Sequence, residues 1–444
     1  MHARTLIALT LLGLGACSDD PQATTDATTT RDATVAPDTT VTLPTDTSDD
    51  ITTPTSTCSA PTSARITNAQ VPDGFCASIW ASNIDTPRGL FVADNGDVLV
   101  VERGQSRVLA LWDDDGDGVS SEDERAVLAE ASNLNHGITV HEGFLYASRD
   151  TTVFRWPYTA GMRADLGSAE TVVKGLPGGG NHSTRTLLFD AQGRLLVSIG
   201  SQNNVDSDSR RARVVRFDLG TIPSGGIAFG DATLFADGLR NEVGLALDAH
   251  GVVWGVQNGR DELNRADLGG DIHQDNPAEI LSRFDTEGAF HGYPYCFAEF
   301  DLPVGVGLGR NSLWANPESM NDGTHDDAWC RAHTQLAALA MQAHSAPLDL
   351  EFYDGASFPA AFQGDLFITF HGSWNRNVPT GYKVVHVDMS GATPSDPEPF
   401  FEFNGDGDFA SSWPFRPVDV RVGKDGQLFV SSDASGQILV IGHE

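Results

Sequence analysis

The chain has 444 residues, with 61 acidic against 28 basic side chains and a formal net charge of −33. That excess of negative charge excludes nucleic acid and anionic membrane surfaces as partners, because both repel it. It also means that basic residues gathered in one place need a reason.

At the N-terminus, Arg4 gives a short basic start, and the apolar run from Leu6 to Leu14 is too short to cross a bilayer. Small residues follow, ending in Leu14-Gly15-Ala16-Cys17. This order predicts a secretory signal over 1–16. A cysteine directly after Leu-Gly-Ala resembles the bacterial lipobox, which implies an acylated Cys17 as the first mature residue. Ser18 carries no clear inner-membrane retention signal, so outer-membrane attachment, facing the periplasm or the cell surface, is expected. No other apolar run suits a membrane helix. Residues 17–57 read as a tether of Thr, Asp, Ala, Pro and Ser without an aromatic residue. Such a segment buries too little apolar surface to offset its ordering entropy and is expected to be disordered.

The folded domain is expected over 58–444. Apart from Cys17, its cysteines are Cys58, Cys76, Cys296 and Cys330, an even number that suits an oxidising compartment. The simplest pairing is local, Cys58 with Cys76 and Cys296 with Cys330. No Cys-x-x-Cys-His occurs, which argues against c-type haem.

An internal repeat organises the domain: an alternating apolar strand, a turn with Asp and Gly, and a second apolar strand. The units start at Pro87 (PRGLFVADNGDVLVVERG), Asn135, Thr184, Asn241, Ala346 and Arg416. Six such units predict an all-β, six-bladed β-propeller. A pair of β-sandwiches is the rival architecture. FCASIWAS, before the first unit, is expected to close the ring. The widest gap, between the fourth and fifth units, holds Cys296 and Cys330. HTQLAALAMQAH, from His333, is the best helix candidate. Within the first unit's region, Asp113, Asp115, Asp117 and Glu124, with Gly118 and Ser121, follow the twelve-residue calcium loop D-x-D-x-D-G-x5-E. The loop reads either as a structural calcium site or as a solvated acidic loop. Its context is not that of an EF-hand.

Aligning the units by their first strands puts polar residues in register at the starts. They are Arg88, His136, His182 with Arg185, Arg240 with Asn241, His344 and Arg416. His371, at the end of the fifth unit's second strand, is expected on the same face. Each alone reads as well as a residue pinning a loop. Together they predict a cationic and polar ring at one channel mouth, built for an anion such as a polycarboxylate or a phosphorylated ligand.

The stretches NHGITVHEGFLYAS, GNHSTRTLLFDAQGRLLVSIGS, DGLRNEVGLAL, QAHSAPLDLEFY, HGSWNRNVPTGYKVV and FRPVDVRVG resemble the PQQ-dependent sugar dehydrogenases, of the soluble glucose dehydrogenase and L-sorbosone dehydrogenase type, from about Gly74 to Gly442. The resemblance implies pyrroloquinoline quinone, a tricarboxylate that suits the ring, and oxidation of an aldose or related sugar aldehyde. It assigns His182 as the base that takes the proton from the anomeric hydroxyl while hydride moves to the quinone. Arg240 and Asn241 match the pair beside the reactive quinone oxygen, and Arg416 matches an arginine that holds a cofactor carboxylate. His371 stands where glucose enzymes have a lysine, and Asn181 where they have an aspartate. His136 and Arg185 join the cofactor set by register. The resemblance also places Ca2+ against the cofactor, held partly by backbone carbonyls that correspond in position to Asn258 and Gly259. Electrons must leave to an external acceptor, since the chain carries no second redox centre.

Two other classes are weighed against a dehydrogenase. A calcium-dependent propeller lactonase or hydrolase needs carboxylate and Asn ligands converging on the axis, whereas the register positions are cationic. A non-catalytic sugar-binding propeller is opposed by the intact His182, Arg240 and Asn241. Trp374 and Asn375 are expected to border the substrate.

Overall fold

The computed structural model describes residues 56–391, 393–405 and 412–444. The expected signal, Cys17 and nearly all of the expected tether lie outside the described residues. Each repeat unit forms the hairpin its alternation predicts. In the first, Pro87–Val92 pairs antiparallel with Val98–Glu102, Leu90 opposite Val100. Between them Gly96 takes φ +101°, a turn conformation that side chains disfavour. A third and a fourth strand, Arg107–Leu111 and Arg125–Glu130, complete the blade.

Six sheets of this kind follow one another. Their inner strands are Pro87–Val92, Ile138–His141, Leu187–Phe189, Glu242–Leu247, Pro347–Phe352 and Pro417–Val422. These six pack on one another in a ring, each against its neighbours on either side. The structure is thus the six-bladed propeller expected. Phe75–Ala81 closes it, running antiparallel to the C-terminal strand Gln437–His443 with Ala77 opposite Ile441. Just ahead of it, the Thr57 amide donates to the His443 carbonyl at 2.9 Å. The Cys58–Cys76 disulfide fastens the same segment. The core consists of apolar wedges between blades, such as Leu99, Val101, Leu145 and Trp156 between the first and second. Such face-to-face packing lets every sheet bury both sides.

Blade 4 is interrupted. Excursions follow its second strand, Val253–Gln257, and its third, Glu279–Arg283. The latter carries a hairpin of Cys296–Ala298 with Leu313–Ala315, and the helix Asp327–His333, joined by the Cys296–Cys330 disulfide. The helix expected from His333 onward is not formed. The helix ends there, and Leu339–Met341 instead becomes the fourth strand of blade 4. A fourth strand is needed to complete the blade, and this segment's three fully or nearly buried residues supply it. The helix starts six residues upstream, at Asp327, where Asp326 caps it by accepting from the Trp329 amide at 2.7 Å.

Candidate active site

The strand starts and strand ends of blades 4, 5, 6 and 1, with the loop entering blade 3, surround a cavity of about 580 Å3 at one end of the ring axis. That volume is within the range of cofactor and small-molecule sites. Leu348 gives it an apolar floor, packed on Val243 and Val418 from neighbouring inner strands. Of the residues singled out above, Arg88, Asn181, His182, Arg240, Asn241, Asn258, Gly259, His344, His371, Trp374 and Arg416 all line it.

His182 is held by its Nδ1, which lies 2.8 Å from the Ser201 hydroxyl and 3.1 Å from the Ser201 carbonyl. The Ser201 hydroxyl in turn donates to the Asn203 carbonyl at 2.7 Å. With its proton directed there, the hydroxyl accepts, so Nδ1 carries the hydrogen and Nε2 keeps a free lone pair. Burial, and next the Arg240 charge, push His182 down to about 3, so the ring is neutral at ordinary pH. Gly200 permits this approach, since a β-carbon there would lie 2.5 Å from the His182 Cβ and 2.7 Å from the Asn241 side-chain oxygen.

Arg240 is fully anchored. It donates to the Asn204 carbonyl at 3.1 Å, the Asn204 side chain at 3.0 Å, the Gly259 carbonyl at 2.6 Å and Asp261 at 2.9 Å. Asn241 donates to the Asn258 side chain at 3.0 Å. Across the cavity, Asp433 joins Arg88 at 2.6 Å and His371 at 2.9 Å. Although burial opposes it, these two partners hold the Asp433 carboxyl far below its usual range. Burial outweighs Asp433 for His371 and lowers it. Arg416 donates to the carbonyls of His371 and Gly372, at 3.1 and 2.9 Å. Among the described residues it is the lining arginine that has no carboxylate partner.

The ring of cations is therefore real but largely neutralised from within. Two of its expected members stand apart from the cavity. Arg185 is fully buried and donates to the carbonyls of Asp150, His182, Thr184 and Pro177, so it pins the loop that carries His182. His136 is buried beside the Arg88 charge and, pushed well below its usual value by burial first, stays neutral. Asn375 does not line the cavity either. The carboxylates Asp261, Glu262 and Glu279 do, and register reading missed them. Burial pushes Glu279 up to about 7, against amide hydrogen bonds from Gly259 and Ala346. Asp433 and Ser201 were findable, for they end or follow second strands as His371 does.

In the first blade, Asp113, Asp115 and Asp117 bring carboxylate oxygens within 4.8 Å of one another. Glu124 accepts from the amides of Asp114 at 2.8 Å and Ser121 at 3.0 Å. It thus caps the loop.

The sequence pattern of the TrAA12-like family matches residues 69–444. The chain belongs to this family. A pyrroloquinoline quinone-dependent pyranose dehydrogenase of Coprinopsis cinerea is 30% identical over 84% of this chain and 54% of its own length. The chain thus spans about half the length of that relative. The solved PQQ domain of that fungus's pyranose dehydrogenase, in its holo form, superposes with a TM-score of 0.74 at 28% identity, covering 84% of this chain and 96% of the domain. A pyrroloquinoline quinone-dependent sugar dehydrogenase of Hypocrea jecorina is 29% identical over 83% of this chain and 88% of its own length.

Proposed function

We propose that the chain is a PQQ-dependent sugar dehydrogenase that oxidises an aldose or related sugar aldehyde and passes electrons to an external acceptor. The observation that carries this is a neutral histidine with one free nitrogen, held beside an anchored arginine in a cavity of cofactor size. The family and the activities named for its fungal relatives support it.

The lining residues fit a planar tricarboxylate. Arg416 and Arg88 offer donors on one side, Asn241 its second amide hydrogen on another, Arg240 a fixed positive charge beside it, and Leu348 an apolar floor. Bound there, the quinone supplies a two-electron acceptor for hydride. The chain's own part is acid–base and electrostatic. His182 Nε2 accepts the hydroxyl proton of the sugar, Ser201 keeps that nitrogen unprotonated beforehand, and Arg240 stabilises developing negative charge without having to move. For Ca2+ the chain offers the hard carbonyl oxygens of Asn258 and Gly259. Both carbonyls also accept from Arg240, Gly259 at 2.6 Å and Asn258 at 3.5 Å. The Asp113–Glu124 loop is a separate, structural calcium reading. A calcium hydrolase is less well supported: among the described residues His, Cys, Asp or Glu ligand atoms come together in threes only in that loop, and the Asp261 and Glu279 carboxylates of the cavity are engaged by Arg240 and by backbone amides.

Export and acylation at Cys17, with outer-membrane attachment, belong to the same proposal. The two disulfides favour an oxidising compartment.

The test is reconstitution. PQQ and Ca2+ added to the purified chain should give bound-cofactor absorbance and dye reduction with a panel of aldoses. His182→Ala should abolish turnover and keep cofactor binding. Absence of both absorbance and dye reduction would overturn the reading.

A further inference from the structure

We propose that this cavity selects its sugar by charge, favouring amine-bearing and neutral sugars over acidic ones, with Glu262 as the selecting residue. The proposal rests on the sugar-oxidising reading above.

The cavity has two unlike walls. Arg88, His371 and Arg416 stand on blades 5, 6 and 1, and the carboxylates stand on blade 4. Two of those carboxylates are already engaged. Asp261 accepts from Arg240, and Glu279 accepts from the amides of Gly259 and Ala346 at 2.6 and 3.2 Å. Glu262 differs. It is exposed, lines the cavity, and has no hydrogen bond or ion pair among the described residues.

Its backbone is nevertheless fixed. Glu262 holds φ +54°, a left-handed conformation that a residue with a β-carbon adopts only where its surroundings impose it. The neighbours impose it: the Asp261 amide donates to the Asn204 side chain at 2.8 Å, and Leu263 is fully buried. Asn204 is the residue that also receives Arg240. The same small network that anchors the cation beside the base therefore aims a free carboxylate at the mouth. An unpaired carboxylate there repels a uronate or a sugar phosphate and attracts an ammonium. At a solvated rim the effect is modest, about fivefold, and is screened by salt.

The test uses the full chain loaded with PQQ and Ca2+ and compares glucose, glucosamine and glucuronate at about pH 6, where the amine and the carboxylate are both charged. The expected order of kcat/KM is glucosamine, glucose, glucuronate. Glu262→Gln should narrow the glucosamine-to-glucuronate ratio about fivefold, mainly through KM, and raised salt should narrow it in the native chain but not in the variant. Calorimetric Kd values on the reduced, cofactor-loaded protein, which binds sugar without turning it over, should show the same narrowing. A ratio that Glu262→Gln leaves unchanged in both measurements overturns the proposal. If the cofactor binds and no sugar is oxidised, it is the dehydrogenase reading that fails, and the Kd order still decides the charge selection.

Discussion

A histidine serves as a base only if the right nitrogen is free, and in this chain that condition is met without a carboxylate. The Ser201 hydroxyl and carbonyl both receive Nδ1, and the hydroxyl's own proton is committed to Asn203. Ser201 is thus a positioning residue for His182. Because burial and Arg240 push His182 down to about 3, the acid limb of the kcat/KM profile should lie well below pH 6.5, the ordinary value for histidine. Ser201→Asp would place a negative charge against Nδ1. A carboxylate favours imidazolium, so the base is protonated at higher pH and the acid limb moves up, by about 1–3 units. Ser201→Thr keeps the hydroxyl and should leave the limb in place, whereas a purely structural role for Ser201 would shift it in neither variant. Arg416 is the second residue with a clear expectation. As the lining guanidinium without a carboxylate partner among the described residues, it has charge left for an anion. Arg416→Ala should weaken PQQ binding by roughly 1.5–3 kcal/mol, the worth of a charged hydrogen bond, or about ten- to a hundredfold in Kd by cofactor titration. Arg185→Ala should act instead on stability, since all its partners are backbone carbonyls.

At the scale of the strand, the ring depends on how closely inner strands approach. Gly137 opens the inner strand of blade 2, and a β-carbon on it would lie 2.1 Å from the Arg185 carbonyl and 2.7 Å from the Ser148 hydroxyl. Gly137→Ala should therefore cost roughly 1–3 kcal/mol, the usual range for overpacking, seen as a lowered Tm. It should also loosen the loop pinned by Arg185 and so reduce activity beyond its effect on stability. Period-two alternation between Asp-Gly turns made these strands readable, and equivalent starts brought His182, Arg240, Asn241 and Arg416 into one cavity before any coordinates. What alternation could not show is where a strand's edge residues point. Arg185 and His136 share the register of the cavity residues, yet their side chains are taken up by a neighbouring loop and by burial. Nor could it place Asp261 and Glu262, which come from an excursion with no counterpart in the other units. The stretch after His333 misled for a related reason: Leu-Ala-Ala-Leu-Ala-Met has helical propensity, and the need of blade 4 for a fourth strand overrode it.

For the whole molecule, the net charge of −33 sets a condition on any membrane association. An acidic chain is repelled by anionic headgroups, so attraction to the lipid surface cannot hold it there. Among the described residues no helix is long and apolar enough to cross a membrane. If the chain resides at a membrane as proposed, the proposed hold is covalent lipid at Cys17, and more than one acyl chain is needed, because a single chain gives only marginal, reversible binding. This separates two causes that fractionation can tell apart. Peripheral binding through charge would yield to a high-salt wash, whereas acylation would resist salt and yield to detergent. Cys17→Ser should move the exported chain from the membrane fraction to the soluble one. Its two disulfides and the proposed dehydrogenase activity should be unchanged, since the cavity and both Cys58–Cys76 and Cys296–Cys330 lie wholly within the propeller and the segment fastened to it. Membrane retention of the Cys17→Ser chain through a high-salt wash would exclude the lipid as the anchor.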